Sequence, residues 1–179
     1  MFLEFCTPHE GKKRCFDKLS TNGSGGGRVM ITNVRMLSTT LDPASELARF
    51  AKAHPESGGI ASFIGQVRAE SGEDAVLELE LSHYPPLTLP EMRSLADEAR
   101  RRWPLDGLLL LHRTGALLPG EPIVLVAAAA RHRRDAFLAA DFAMDHLKSE
   151  AWFWKRERTV AGWLWVEPRG EDYADKARW

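Results

Sequence analysis

Apolar and polar positions along this chain fall into blocks of different period, and each block predicts an element. Ile31 to Leu37 suits a short strand. Asp42-Pro43 opens a helix, with Asp42 as cap, Pro43 in the first turn, and Leu47, Phe50 and Ala51 on its apolar face. After Gly58-Gly59, Ile60, Ser62 and Ile64 alternate with Ala61, Phe63 and Gly65, which reads as a strand with Arg68 at its far end. Gly65 inside it predicts a bulge or a close backbone approach. Ser71 to Asp74 make a turn, and Val76 to His83 form a second strand that Pro85-Pro86 ends. Leu89 to Trp103 fit an amphipathic helix with Met92, Leu95, Ala96 and Ala99 inward, stopped by Pro104. Leu108 to His112 and Ile123 to Ala129 read as buried strands, separated by the turn signals Thr114-Gly115 and Pro119-Gly120.

Arg133 to Lys148 then predict a helix whose inward face carries Phe137, Ala140, Met144 and Leu147. Trp152 to Arg158 and Trp163 to Val166 predict paired strands, and Glu171 to Arg178 a short charged helix. Strands and helices mix without strict βαβ alternation. The fold class is therefore α+β, a mainly antiparallel sheet covered by packed helices.

Met1 to about Arg28 look unlike the rest: KKRC is basic, and NGSGGG from Asn22 to Gly27 is a flexible tract. The expected organisation is a disordered extension over 1–29 ahead of one domain over 30–179 with a native beginning at Met30. Both cysteines, Cys6 and Cys15, fall in that extension and form no C-x-x-C pair, so neither a disulfide framework nor a zinc site is expected. The 179 residues are 44% hydrophobic and 27% charged, which suits one globular domain with a real core. A formal net charge of -1 supplies no basic field for general nucleic-acid binding. No apolar run approaches the roughly 20 residues of a membrane helix, and a cytoplasmic setting is expected.

Local clusters therefore carry the chemistry. Arg131, His132, Arg133 and Arg134 crowd a helix N-terminus, an end whose free N–H groups and partial positive charge ordinarily favour acids. A bound anion between them would relieve that conflict, and a solvated helix start is an equal alternative for His132 and Arg133. Lys148 and Lys155 border Trp152, Phe153 and Trp154, an aromatic cluster expected to exclude water and to make an ammonium a better acid, base or nucleophile. Surface lysines are the bland alternative. Arg68 and Arg169, taken singly, read as surface arginines. His83 and His112 at strand ends read as structural, Glu78 and Glu80 as a solvated face, and Trp163 and Trp165 as core or interface.

The motifs GGIASFIGQVRAE, LELSHYP, EARRRWP, LLHRTGALLPGE, ARHRRDAF, MDHLKSEAWFWKRE and WVEPR, in this order, resemble the large, catalytic subunits of molybdopterin synthase. The resemblance covers about Gly58 to Trp179, with a weaker likeness back to Ile31. It implies an α/β-hammerhead fold and conversion of a cyclic pyranopterin monophosphate, precursor Z, into molybdopterin by insertion of two sulfurs. Sulfur would come from the C-terminal Gly-Gly thiocarboxylate of a small ubiquitin-like subunit. Large subunits would pair as a homodimer at the centre of a heterotetramer. By the same resemblance Lys148 and Lys155 are the active-site lysines. Arg68, His132, Arg133 and Arg169 bind phosphate and pterin, some reaching the site from the other protomer. Neither metal nor cofactor is implied, since the sulfur arrives preactivated. Two departures are visible: Ala151-Trp152 stands where the family has Ala-Pro, and Tyr84 is followed by two prolines.

Overall fold

The computed structural model describes residues 30–69, 72, 75–150 and 152–179. The expected extension over 1–29 and most of the turn expected over 71–74 lie outside the described residues. Among the described residues, eight strands form two four-stranded sheets. The first sheet has the order β1 (Ile31–Leu37), β4 (Leu105–Arg113), β6 (Pro122–Ala130), β2 (Gly59–Gln66). The second has the order β5 (Gly115–Leu117), β3 (Glu78–His83), β7 (Phe153–Thr159), β8 (Gly162–Val166). Only β1 and β4 run parallel; every other pairing is antiparallel.

β4 and β6 lie inside the first sheet and are buried on both faces, so they read as continuous apolar runs. Leu109, Leu111, Leu125, Ala127 and Ala129 face helix α1 (Pro43–Ala53). Leu108, Leu110, Val124, Val126, Ala128 and Ala130 face α2 (Pro85–Arg102) and α3 (Arg133–Ser149). Ala128 and Ala130 of β6 share a cluster with further alanines of α3 (Ala136, Ala139, Ala140, Ala143), and side chains this small let helix and sheet approach closely. A third, smaller cluster of Val67, Leu79, Leu81 and Leu117 backs the second sheet.

Asp42 caps α1 as expected, its carboxylate accepting from the Ala44 and Ser45 amides at 3.1 and 3.2 Å. The Ser45 hydroxyl, which donates to the same carboxylate at 2.5 Å, and then those amides hold its carboxyl below the usual range. Gly65 is a bulge position: the β2–β6 register shifts between Gly65 and Gln66, and a Cβ on Gly65 would meet Val124 Cγ1 at 2.7 Å.

Several boundaries differ from expectation. α2 begins at Pro85, because prolines in a first turn lack only N–H groups that would have no intrahelical partner. β3 begins at Glu78 rather than Val76, and β4 extends back to Leu105, next to the Pro104 that ends the helix. Phe137 is not inward: it is 64% exposed, while the buried stripe of α3 runs through Ala136, Ala139, Ala143 and Leu147. Glu78 and Glu80 pair across the sheet with Arg158 and Arg156 at 2.8 and 2.7 Å rather than facing water alone.

The last helix, α4 (Gly170–Lys176), is short and folds back along α3. Arg178 Nη2 and Trp179 Nε1 each donate to buried Asp145 at 2.7 Å, and the Trp179 ring meets Trp103 and Phe142 edge-on. These contacts fix the segment that carries Arg169.

Candidate functional site

A cavity of about 620 Å³ opens where the two sheets meet the C-terminal end of α3 and the start of α4. Arg68, just past the bulged end of β2, lies on its wall, with Lys148 from the last turn of α3, Lys155 from β7, and Arg169. Four cations from four separate segments thus line one cavity. Local structure explains each placement. Lys148 sits at a helix C-terminus, where a cation suits the dipole. Lys155 is on the cavity face of β7 because side chains alternate along a strand: Phe153, Lys155 and Glu157 line the cavity. Arg169 is the N-cap residue of α4, its amide donating to Asp172 Oδ2 at 2.9 Å.

The expected aromatic cluster does not exist as such. Trp152 is buried, its carbonyl accepting from Thr88 Oγ1 at 3.1 Å, and Phe153 turns to the cavity wall. Trp154 is half-exposed on the opposite face of β7. Strand alternation separates Phe153 from Trp154, and Trp152 lies in the turn before the strand. With Lys148 54% and Lys155 38% exposed at the side chain, the cleft of this protomer is open to solvent rather than dry.

Acids absent from the sequence-based site line the same cavity: Glu150, Glu157, Glu167 and Asp172. Lys155 Nζ lies 2.7 Å from Glu157 Oε1, and Lys148 Nζ lies 3.5 Å from Asp172 Oδ1. The cavity therefore supplies counter-ions to both lysines. Glu157 was detectable in principle, being two residues beyond Lys155 on one strand face. Asp172 was not, since its approach to Lys148 depends on how α4 folds back.

His132 and Arg133 do not join this cavity within the protomer. They stand at the opposite end of α3, whose 17 residues span about 25 Å. His132 is the N-cap residue, yet its side chain makes no capping bond, and both residues are exposed. The backbone here is tightly placed: a Cβ on Gly58 would lie 2.2 Å from the Arg131 carbonyl oxygen, and one on Gly59 would lie 3.3 Å from Arg133 Cα. The start of β2 is thus packed against the start of α3, while the end of β2 leads to Arg68 and the cavity.

His112, expected to be structural at its strand end, also belongs to the cavity. It lines the cavity wall and is buried, with its ring stacked on Phe153 at 4.0 Å and 15°. Nδ1 is 2.8 Å from the Arg113 carbonyl oxygen. Burial outweighs that bond and pushes the imidazole down to about 4. The other strand-end histidine, His83, is also lowered by burial, and its Nδ1 has no partner. Among the described residues no group of three or more His, Cys, Asp or Glu is arranged to hold a metal, and no helix is long and apolar enough to cross a membrane.

A family model described as MoaE protein matches residues 36–150. The molybdopterin synthase catalytic subunit of Ralstonia nicotianae is 44% identical over 146 residues, covering 82% of this chain and 83% of the relative. The solved MoaE protein from Burkholderia ambifaria superposes with a TM-score of 0.69 at 42% identity, covering 83% of this chain and 98% of that one. A Helicobacter pylori structure, 19% identical with a TM-score of 0.62 over 78% of this chain and 91% of that one, shares the fold. It is described as a complex of subunits 1 and 2 of molybdopterin-converting factor.

Proposed function

The chain belongs to the MoaE family, the catalytic subunits of molybdopterin synthase, and we propose that its four-cation cavity is where sulfur passes from a small partner subunit to the pterin. The reaction is the sulfurtransferase step of molybdenum cofactor biosynthesis, forming the dithiolene of molybdopterin from precursor Z. The observation that carries the site assignment is the convergence of Arg68, Lys148, Lys155 and Arg169 on one cavity. Both guests of this reaction are anions, a phosphorylated pterin and a thiocarboxylate tail. Fixed cations recruit such guests and stabilise charge that develops as sulfur attacks carbon.

The partner is a small ubiquitin-like subunit whose Gly-Gly tail enters the cavity, glycine allowing close backbone approach. Lys148 lies nearest the tail carboxyl, as electrostatic anchor or transient acyl acceptor. Lys155 acts on the pterin, as proton donor or orienting group. Both must first exchange a protein carboxylate for the guest: Asp172 for Lys148, Glu157 for Lys155. Neither role calls on a metal or a nucleotide.

His132 and Arg133 hold the phosphate from the other protomer of a homodimer. Two features support this. β2 is an edge strand, and Ile60, Phe63, Ile64 and, on α3, Phe137 are exposed, a combination that invites pairing. Antiparallel pairing of β2 with its copy over the whole strand, about a two-fold axis at its middle, would set Gly59 of one strand across from Gln66 of the other. Gly59 packs on Arg133, and Gln66 leads to Arg68. The separation inside one protomer thereby becomes proximity across two, and the same burial would dry the cleft.

The test is incubation with the thiocarboxylated small subunit and precursor Z. Dithiolene formation by the wild type and its loss in Lys148→Ala, with small-subunit binding retained, is expected. Normal turnover by Lys148→Ala would refute the assignment.

A further inference from the structure

We propose that His112 contacts the substrate, its Nε2 accepting a hydrogen bond from an N–H or O–H group of the bound pterin. The inference rests on the cavity being the pterin site and adds a residue to it. The Arg113 carbonyl oxygen beside Nδ1 can only accept, so Nδ1 carries the ring proton and Nε2 has a bare lone pair. His112 lines the cavity, and with Nδ1 engaged by the Arg113 carbonyl oxygen Nε2 is the ring nitrogen left to serve a guest there. Burial keeps the imidazole neutral at physiological pH. The ring cannot swing away: Phe153 stacks against it and the Arg113 bond fixes its plane.

The rest of the wall makes this group distinctive. Its other titratable side chains are lysines, arginines and carboxylates, suited to phosphate, to the tail, or to each other. A pterin is a planar heterocycle edged with N–H donors, and a neutral acceptor recognises such an edge without attracting a second cation. Discrimination of this kind is strong, because a buried polar group left unpaired by the wrong ligand is costly.

The experiment compares His112→Phe, which keeps the ring and its stacking but removes both nitrogens, with His112→Gln, whose terminal amide oxygen can stand near the Nε2 position. Wild-type turnover with thiocarboxylated partner is established first, so failure of the proposed function is recognised separately. In His112→Phe the KM for precursor Z should rise about tenfold, one hydrogen bond's worth, with kcat little changed. His112→Gln should recover most of that loss. In the wild type, long-range proton–nitrogen NMR should report an unprotonated Nε2 whose resonance moves when precursor Z is added without the partner. A folded His112→Phe enzyme with wild-type KM, or an Nε2 resonance unmoved by saturating precursor Z, would overturn the proposal. If His112→Phe does not fold, the NMR measurement decides alone.

Discussion

Asp172 performs two tasks, and two substitutions separate them. One carboxylate oxygen accepts the Arg169 amide at 2.9 Å, and the other stands 3.5 Å from Lys148 Nζ. Asp172→Asn keeps an acceptor for the amide and removes the charge, whereas Asp172→Ala removes both. Two unit charges at this separation attract by roughly 1 kcal/mol in water, and exposed pairs yield at most about that much. Lys148 is half-exposed, so the upper figure is already generous. An incoming anion that no longer competes with Asp172 should therefore bind up to about fivefold more tightly in Asp172→Asn. The gain should shrink in 1 M salt, where screening acts within about 3 Å. Asp172→Ala should instead loosen α4, a cap being worth about 1 kcal/mol, and carry Arg169 away from the cavity. Its affinity should fall below that of the asparagine variant, and amide exchange in α4 should quicken. Titration of each variant with precursor Z by calorimetry, at low and high salt, gives the answer. Weaker binding by Asp172→Asn, with α4 protected as in the wild type, would show that Asp172 is not a competitor for the site.

Other outcomes follow from the same geometry. Lys148→Ala and Arg133→Ala are each expected to be nearly inactive or weakly binding alone. Randomly mixed dimers should regain about a quarter of wild-type turnover, since half the dimers then hold one intact site; no recovery after verified subunit exchange would remove the cross-protomer role. Gly65→Val should destabilise the fold by about 1–3 kcal/mol, because its Cβ starts 2.7 Å from Val124 Cγ1, and should displace Arg68; an unchanged denaturation midpoint would contradict this. The imidazole of His112 is held near 4 in the fold against 6.5 in the unfolded chain. The unfolded state therefore binds more protons, and stability should fall as pH drops from 6.5 to 4, by on the order of 3 kcal/mol in total. His112→Phe should flatten that part of the pH profile measured by urea titration. The Glu121 carboxyl is held below its ordinary 4.5, chiefly by the Leu118 amide and then by Arg113. It stabilises above that pH, and Glu121→Gln should lose less stability than the wild type on further acidification.

Elements were legible wherever one periodicity ran unbroken: β1, α1, β6, α3 and the β7–β8 pair lie within a residue or two of their expected positions. Boundaries set by proline chemistry and tertiary cover were not, as Pro85 at the start of α2 and Phe137 on the surface of α3 show. The same split runs through the site. Basic residues in motifs stood out, and Arg68, Lys148, Lys155 and Arg169 do line one cavity. Their counter-ions did not stand out, because an acid in a charged segment looks solvated until α4 folds over Lys148. His112 also stayed hidden: nothing in LLLLHR distinguishes a wall residue from a strand end. The water-excluding cluster failed because Phe153 and Trp154 are adjacent on one strand and take opposite faces, while Trp152 is buried in the turn before it.

That alternation has a consequence for how this enzyme can change over evolutionary time. Adjacent positions of β7 serve different worlds: Lys155 looks into the cavity, while Arg156 lies over Trp163 at 4.5 Å and joins Glu80 on the outer face. One residue inserted or deleted between Ser149 and Phe153 could slide the strand by one position and exchange those two audiences. The reactive amine would then meet tryptophan, and a guanidinium would occupy its place. The short link from helix to strand should thus accept substitutions readily and tolerate changes of length hardly at all. A scan of single insertions against single replacements would expose that asymmetry directly.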